Sequence, residues 1–381
     1  MKILIAPDSF KDSLAAPAVA HHIGIGLQAA SASIRTQEFP LADGGEGTIA
    51  ILHQHIGGEW VEVEVKDPLG RSVKGRYSLQ KERKTAFIEM AEASGIQLLR
   101  KDERQGMQTS TFGTGQLIRH AIEQGANHLY LGIGSSATCD GGTGMAEALG
   151  FTFWQKDQPL VGLCGEKLGQ ITRIDASTAL PSLAEISCTV ICDVDNPLTG
   201  PQGSAVVYGP QKGVSESDLP RLDQGLQNLN QVLTQTFGQS FGHRPGAGAA
   251  GGMGAGTMAF LGATLEPGVE LVMQLVDFEA QLATCDLVIT GEGSIDDQTL
   301  NGKLIKGITN RASAQQIPVI GIGGRVLLTI EQQRALHLKA AFSLVNGPMS
   351  LEQALINTPQ NLERLGFQIG SLVTGASASR Q

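Results

Sequence analysis

"VITGEGSIDDQTLNGK", residues 288–303, opens as a buried strand and turns abruptly into glycines and acids. An apolar run of this kind, bounded by turn residues, belongs to a sheet covered on both faces. Glu292, Asp296 and Asp297 follow it directly. Crowded carboxylates repel one another and lose hydration if enclosed, so a chain that gathers them usually has a cation or a proton to manage.

Working outward, the same grammar of strand then helix recurs at both chain ends. "KILIAPD" reads as a short buried strand and "LAAPAVAHHIGIGLQAA" as the helix after it; "IRTQEFPLAD" and "GTIAILHQH" give a second such pair. "DLVITGEG", "PVIGIGG" and "AAFSLV" repeat the strand pattern near the C-terminus, with helical stretches between. That alternation predicts a parallel, doubly wound sheet.

The middle is different. "EWVEVEVKDPLGRSVKGRYSLQ" alternates apolar and polar residues about a Pro-Leu-Gly turn, the pattern of antiparallel strands with one wet face, and "KTAFIEMAEASG" starts another such segment. "HLYLGIGSSATCDGGTGMAEALG" returns to strand, glycine-rich loop and helix. The expected organisation is discontinuous: residues 1–58 and 285–381 form one α/β domain, residues 59–284 an inserted α/β domain with a mixed sheet, and the active site lies in the cleft between them.

Composition narrows the function classes. The chain has 381 residues, ample for two domains, and 28 basic against 37 acidic residues give a net charge of −9. With no basic stripe interleaved with aromatics, nucleic acid and anionic membrane surfaces are not expected partners. "MKILIAPDSF" has neither the length nor the flanks of a signal peptide or membrane anchor, so the expected location is the cytoplasm. Five cysteines fit reduced thiols, and without a CxxC pair or an HExxH motif no zinc site is expected. The 49 glycines exceed the about 7% of average usage and sit mostly where apolar runs end.

Five loops share one form, an apolar strand followed by glycine, acid and hydroxyl residues and then a helix. They begin at Ala6 ("APDSFKDS"), Leu41 ("LADGGEGT"), Gly132 ("GIGSSATCDGGTG"), Cys192 ("CDVDNPLTGPQG") and Thr290 ("TGEGSIDD"). Taken singly, each is explained by helix capping or a tight turn. Together, at the carboxyl ends of strands, they suggest a phosphate and metal site. Neither common nucleotide signature is present in context: "GAGAAG" (residues 246–251) follows "FGHRP" rather than an apolar strand, and Lys303 in "NGKL" lacks the Walker A spacing and the following hydroxyl.

Six segments, "IAPDSFKDSL", "PLADGGEGT", "GSSATCDGGTGM", "CDVDNPLTGPQG", "GAGAAGGMGAG" and "VITGEGSIDDQTLNGK", in this order from Ile5 to about Gly324, resemble the motif set of the bacterial glycerate kinase family. The resemblance implies a flavodoxin-like domain carrying an inserted α/β domain, and ATP-dependent phosphorylation of D-glycerate, with the 2-hydroxyl as acceptor and Mg²⁺ as cofactor. This chain departs from the motifs at Ser135, where glycine is frequent, at Cys139, where Asn is frequent, and at Ser294, where a basic residue is usual. "GGRV" (residues 323–326) also replaces smaller residues, so Arg325 is a candidate to supply the missing charge.

Phosphoryl transfer needs cations across the phosphates, an in-line hydroxyl and a carboxylate to take its proton. Lys11 stands before a helix, where the dipole disfavours a cation unless an anion is bound, so it is expected to touch the substrate or the transferring group. Asp193 and Asp195, two apart at a strand end, would face the same way and serve as Mg²⁺ ligands, or as one ligand and one base. Asp43 with Glu46 is a second acidic pair, and Asp43 is taken as a metal or substrate ligand. Glu292 and Asp296 are expected to end a central strand and to orient the hydroxyl or a metal-bound water.

Ser9, Ser135, Ser136 and Arg325 join Lys11 and Asp43 around the substrate. Gly134, Thr138, Gly141, Gly142, Gly248, Gly251 and Lys303 are assigned to ATP. Alternatives remain open: a kinase that yields 3-phosphoglycerate or acts on a related hydroxy acid, a metal-dependent phosphatase, and a two-domain carboxylate-binding protein without turnover.

Overall fold

The computed structural model describes residues 1–301 and 304–378; Lys303 lies outside them. The chain opens with β1 (Lys2–Ile5), the helix Ala16–Ala30 and β2 (Arg35–Glu38). It then runs through β3 (Glu59–Lys66), β4 (Ser72–Gln80), β5 (Thr85–Glu89), β6 (His128–Gly132), β7 (Thr152–Gln155), β8 (Gln158–Leu160), β9 (Arg173–Asp175), β10 (Ser187–Ile191) and β11 (Thr264–Glu266). It closes with β12 (Leu287–Ile295), β13 (Val319–Val326), β14 (Ala340–Ser343) and the long helix Thr358–Ala378.

Two compact units result: Met1–Asp43 with Val269–Gln381, and Gly44–Gly268. These boundaries differ from the expected 58/59 and 284/285. The helix Thr48–Ile56 belongs to the inserted unit, where the Glu89 carboxylate accepts a hydrogen bond from Ile49 N–H at 2.9 Å. The helices Gly268–Leu275 and Phe278–Leu282 fall almost wholly in the chain-end unit: Val269 and Met273 fill the space beside Gly307, and the Phe278 and Phe39 rings stand 6.0 Å apart. Short amphipathic segments go with the core that takes their apolar face, and that core is not visible in a local pattern.

The chain-end unit is built on a five-stranded parallel sheet ordered β14-β13-β12-β1-β2. In chain order this is the 2-1-3-4-5 arrangement of the flavodoxin-like fold. Its core gathers Ile3, Ile5, Ile289 and Ile322 from the strands with Val19, Ile23 and Leu27 from the helix Ala16–Ala30. Pro17 suits the first turn of that helix, where its missing N–H costs nothing. Buried positions Val19, Ile23 and Leu27 then recur every fourth residue, as a core-facing stripe requires.

Two glycines let this helix meet the helix Thr358–Ala378 backbone to backbone. A Cβ on Gly26 would lie 2.1 Å from the Glu363 carbonyl oxygen, and one on Gly366 would lie 2.6 Å from that of Ile23.

The inserted unit has a six-stranded mixed sheet ordered β11-β10-β6-β5-β4-β3, parallel from β11 to β5 and antiparallel from β5 to β3. A small antiparallel sheet, β8-β7-β9, stands beside it. The helix Leu219–Phe237 turns Leu222, Leu226, Leu229 and Leu233 into the core at helical spacing. Among the described residues no helix is long and apolar enough to cross a membrane.

The helix crossing yields a direct stability test. Gly26→Ala puts a methyl group into a carbonyl oxygen that belongs to rigid backbone, so the cost is expected at the overpacking level of about 1–3 kcal/mol. Urea unfolding of the variant against wild type measures it. An unchanged midpoint would show that the two helices separate freely at this crossing.

Candidate active site

In the chain-end unit the sheet order reverses direction between β1 and β12, and ligands of open α/β sheets bind at the strand ends of such a switch point. The residues that leave β1 there are Asp8, Ser9 and Lys11. Asp8 N–H bonds the Gly291 carbonyl at 2.8 Å, which ties the loop to β12, and Ser9 N–H donates to Asp8 Oδ1 at 2.6 Å. Burial, with the charges of Asp43 and Glu292, pushes the Asp8 carboxyl up to about 7, against the opposing pull of Ser9 N–H. Lys11 is exposed, and its backbone nitrogen would lie 3.5 Å from a Cβ on Gly293.

Glu292 does not end its strand as expected. β12 continues to Ile295 because β13 pairs with it beyond that point, Glu292 facing Gly323, Ser294 facing Arg325 and Ile295 facing Val326. Glu292 is therefore a buried strand residue, and its Oε1 accepts the Thr299 hydroxyl at 2.5 Å. Asp296 follows the end of the strand and links it to the turn beyond: Oδ1 accepts Gln298 N–H of the turn at 3.0 Å and Oδ2 accepts the hydroxyl of Ser294 in β12 at 2.9 Å. Arg325 Nε donates to Ser294 Oγ at 2.9 Å, so this guanidinium occupies the neighbourhood of the residue where a basic side chain is usual.

In the inserted unit the loops after β6 and β10 meet the segment that leads into the helix Thr48–Ile56. Ser135 Oγ donates to Glu46 Oε2 at 3.1 Å, and Gly134 comes close to Gly45. Gly44, at φ +101°, leaves room for Asp193, whose Oδ2 would lie 2.6 Å from a Cβ there; Asp193 Oδ1 accepts Gly268 N–H at 2.7 Å. β10 stops at Ile191 and its last bond to the neighbouring strand is made by Cys192 N–H, so Asp193 and Asp195 are exposed loop residues. The strand parity expected to align them does not apply.

Asp140 organises the loop after β6 from within. It is wholly buried and accepts Thr111 N–H and the Thr111 hydroxyl, each at 2.8 Å, with Gly144 N–H at 3.1 Å and Gly142 N–H at 3.2 Å. Burial nonetheless raises its pKa above the ordinary carboxylate range. Gly141, Gly142, Gly248 and Gly251 are buried glycines whose side-chain space is filled by protein. A Cβ on Gly251 would lie 1.9 Å from the Thr138 carbonyl oxygen and one on Gly248 2.2 Å from that of Pro197. A Cβ on Gly142 would lie 3.2 Å from the Gly256 backbone, and one on Gly141 would lie 2.3 Å from the Leu229 side chain. Ser136 is buried against the Lys212 ammonium, and Thr138 is buried with its hydroxyl lacking a hydrogen-bond partner among the described residues.

Among the described residues no three His, Cys, Asp or Glu side chains converge as a metal cage. Mg²⁺ seldom asks for one, since it retains waters and takes one or two carboxylates along with nucleotide phosphates. The carboxylates facing Asp8 have the chemistry for a cation carried in with a nucleotide. Sequence reasoning missed Asp8 although its loop was singled out, because Lys11 three residues on drew the assignment. The signal was available: an acid three residues past β1, at the carboxyl end of a central strand. Lys212 and Asp140 carried no comparable signal, since only the fold shows that they are buried.

Comparison with known proteins places these features. Residues 3–374 match the family model described as the glycerate kinase family. A glycerate kinase of Halalkalibacterium halodurans is 44% identical over 96% of this chain and 97% of its own length, and the glycerate 2-kinase of Escherichia coli is 40% identical over 97% of both. A solved structure described as a glycerate kinase 2 of Salmonella typhimurium LT2 superposes with a TM-score of 0.88 at 40% identity, covering 99% of both chains. On the match along nearly its whole length, the chain belongs to the glycerate kinase family.

Proposed function

We propose that the protein transfers the γ-phosphoryl group of ATP to the 2-hydroxyl of D-glycerate, giving 2-phosphoglycerate and ADP. The observation that carries the reading is Asp8 at the switch point of the chain-end sheet, its carboxyl lifted to about 7 beside Asp43 and Glu292 in a member of the glycerate kinase family. A proton acceptor works best when its pKa lies near the operating pH. The 2-hydroxyl, rather than the 3-hydroxyl, is supported by the name of the Escherichia coli relative.

In this scheme Asp8 accepts the hydroxyl proton as the new O–P bond forms and the bond from the γ-phosphorus to the bridging oxygen of ADP breaks. Glu292, held by Thr299, fixes the charge environment of Asp8 from β12. Lys11, Ser9 and Arg325 are the proposed contacts of the chain-end unit with the substrate carboxylate and the moving phosphoryl group. Gly134, Ser135, Ser136 and Thr138 are those of the inserted unit. Mg²⁺, when bound with ATP, would neutralise the phosphate oxygens, and either Asp43 or the pair Asp193 and Asp195 would supply the one or two carboxylates that hold it. Five free cysteines support a reducing compartment, and the cytoplasm is the proposed location.

Phosphorus NMR of the purified protein with Mg-ATP and D-glycerate checks the reaction and its regiochemistry together. The expected product is 2-phosphoglycerate, whose phosphorus couples to one proton; a signal coupled to a methylene would assign the 3-hydroxyl instead, and unchanged ATP would defeat the kinase reading for this substrate.

Variants separate the carboxylates. Asp8→Asn is expected to lower kcat by at least about a hundredfold, in line with the loss of a general base. Glu292→Gln, which leaves that acceptor in place, should cost about tenfold or less. Steady-state kinetics at saturating ATP decides, and an Asp8→Asn enzyme within a few fold of wild type would remove Asp8 from the chemistry.

A further inference from the structure

We infer that Lys212 is a positioning residue for the reaction: its buried ammonium holds the turn Ser135–Thr138 of the inserted unit in the shape that receives an oxyanion of one of the substrates. The inference rests on the kinase reading above and assigns a residue that none of the loop motifs contains.

Lys212 ends the short helix Pro210–Lys212 and is 3% exposed. Its position is fixed from both sides. Gly106 N–H bonds its carbonyl at 2.8 Å, and the next residue, Gly213, takes φ +82° with the Arg104 carbonyl oxygen 1.9 Å from where a Cβ would stand. Nζ donates to Ser136 Oγ at 2.6 Å and to the Thr138 carbonyl at 2.8 Å. No carboxylate among the described residues lies within 4.0 Å of it; burial lowers its pKa below the ordinary lysine value, and Cys139 and Asp140 oppose that shift only in part.

The rest of the turn has other anchors. Ile96 N–H bonds the Ser135 carbonyl at 2.8 Å, Ala137 N–H bonds the Ser94 carbonyl at 2.9 Å, and the Thr109 hydroxyl bonds the Ala137 carbonyl at 2.9 Å. What these leave unset is the Ser136 side chain and the Thr138 carbonyl, the two groups that Lys212 holds. Ser135 takes φ +54°, a left-handed conformation uncommon outside glycine, and the nearby Thr138 hydroxyl is buried without a partner among the described residues. A strained turn beside an unsatisfied hydroxyl is the kind of feature found where a ligand completes the hydrogen bonding.

Filling space does not call for an ammonium. Isolated charge is costly to bury, and an apolar side chain of similar length would pack the site as well. The ammonium adds two directed hydrogen bonds and a positive charge behind the turn, the sign that suits a phosphate or carboxylate arriving at its front.

Lys212→Met tests this, because it keeps length and removes charge. The melting temperature is expected to stay within about 3 °C of wild type, since burial no longer penalises the side chain. kcat/KM should fall at least about a hundredfold. A rise confined to the KM for ATP identifies the oxyanion as a phosphoryl group, and one confined to the KM for D-glycerate identifies a carboxylate. Ser136→Ala, which keeps the charge and removes one of its bonds, should lose about tenfold with unchanged melting, and it carries the test if the Met variant does not fold.

A folded Lys212→Met enzyme with kcat and both KM values within threefold of wild type overturns the inference, as does a silent Ser136→Ala if that variant has to decide. Wild type assayed alongside separates the two readings. If it has no kinase activity the function falls on its own, and thermal shift then decides about Lys212: stabilisation by ATP or glycerate present in wild type and lost in Lys212→Met supports the inference, and equal or absent shifts in both overturn it.

Discussion

The parallel pairing of β1 with β12 is the constraint on which the chain-end unit depends. Ile3 faces Leu287, Leu4 faces Val288 and Ile5 faces Ile289, residues separated by the entire insertion. The entropy of closing so long a loop grows only slowly with its length, so a 225-residue unit, Gly44–Gly268, can be carried between two neighbouring strands at modest cost. The same pairing creates the switch point. With β2 on one side and β13 and β14 on the other, connections leave β1 and β12 in opposite directions, and the loop bearing Asp8 and the second half of β12 bearing Glu292 come together there.

Glycine abundance is the other thread, and most of its informative instances concern backbone approach. Gly26 and Gly366 bring two helices together at the level of their carbonyls, while Gly251 and Gly248 let the segment 246–256 press on the loops after β6 and β10. A helical glycine costs about 0.5–1 kcal/mol relative to alanine when exposed, but at these positions any side chain would meet backbone that has nowhere to move. The glycine-rich stretch 246–251 is thus a wall that shapes its neighbours, and it follows a loop rather than the apolar strand that a dinucleotide fingerprint requires.

Much of this was legible in the sequence, for reasons that differ by element. The strands beginning at Lys2, Leu287 and Val319 are apolar runs bounded by turns, and the helix Ala16–Ala30 has its stripe and its early proline, so local pattern and tertiary need agree. The end of β12 was misread because Gly-Glu-Gly looks like a loop; pairing with β13 overrides it, and that partner lies about thirty residues away. Asp193 and Asp195 show the opposite error, a strand extended too far by the apolar run before it. Arg325 was named from the motif departure as a candidate for the missing charge, and β-sheet register puts it opposite Ser294, the position of that departure.

Burial by itself does not distinguish chemistry from architecture among the charged groups; hydrogen-bond satisfaction does. Asp140 and Asp8 both have their carboxyl groups lifted by burial. Asp140 is surrounded by four donors from Thr111, Gly142 and Gly144, which is the environment of a carboxylate that holds a loop. Asp8 is faced by two other carboxylates and opposed mainly by Ser9 N–H, which leaves the ionised form short of compensation. A group in that state has to acquire either a proton or a cation, and a phosphoryl-transfer site supplies both, the proton from the acceptor hydroxyl and the cation with the nucleotide. The same comparison separates the acids of the opening segment by environment: Asp296 accepts hydrogen bonds from Ser294 and Gln298 on either side of it, whereas the charge of Glu292, on the adjacent strand, adds to the lifting of the Asp8 carboxyl.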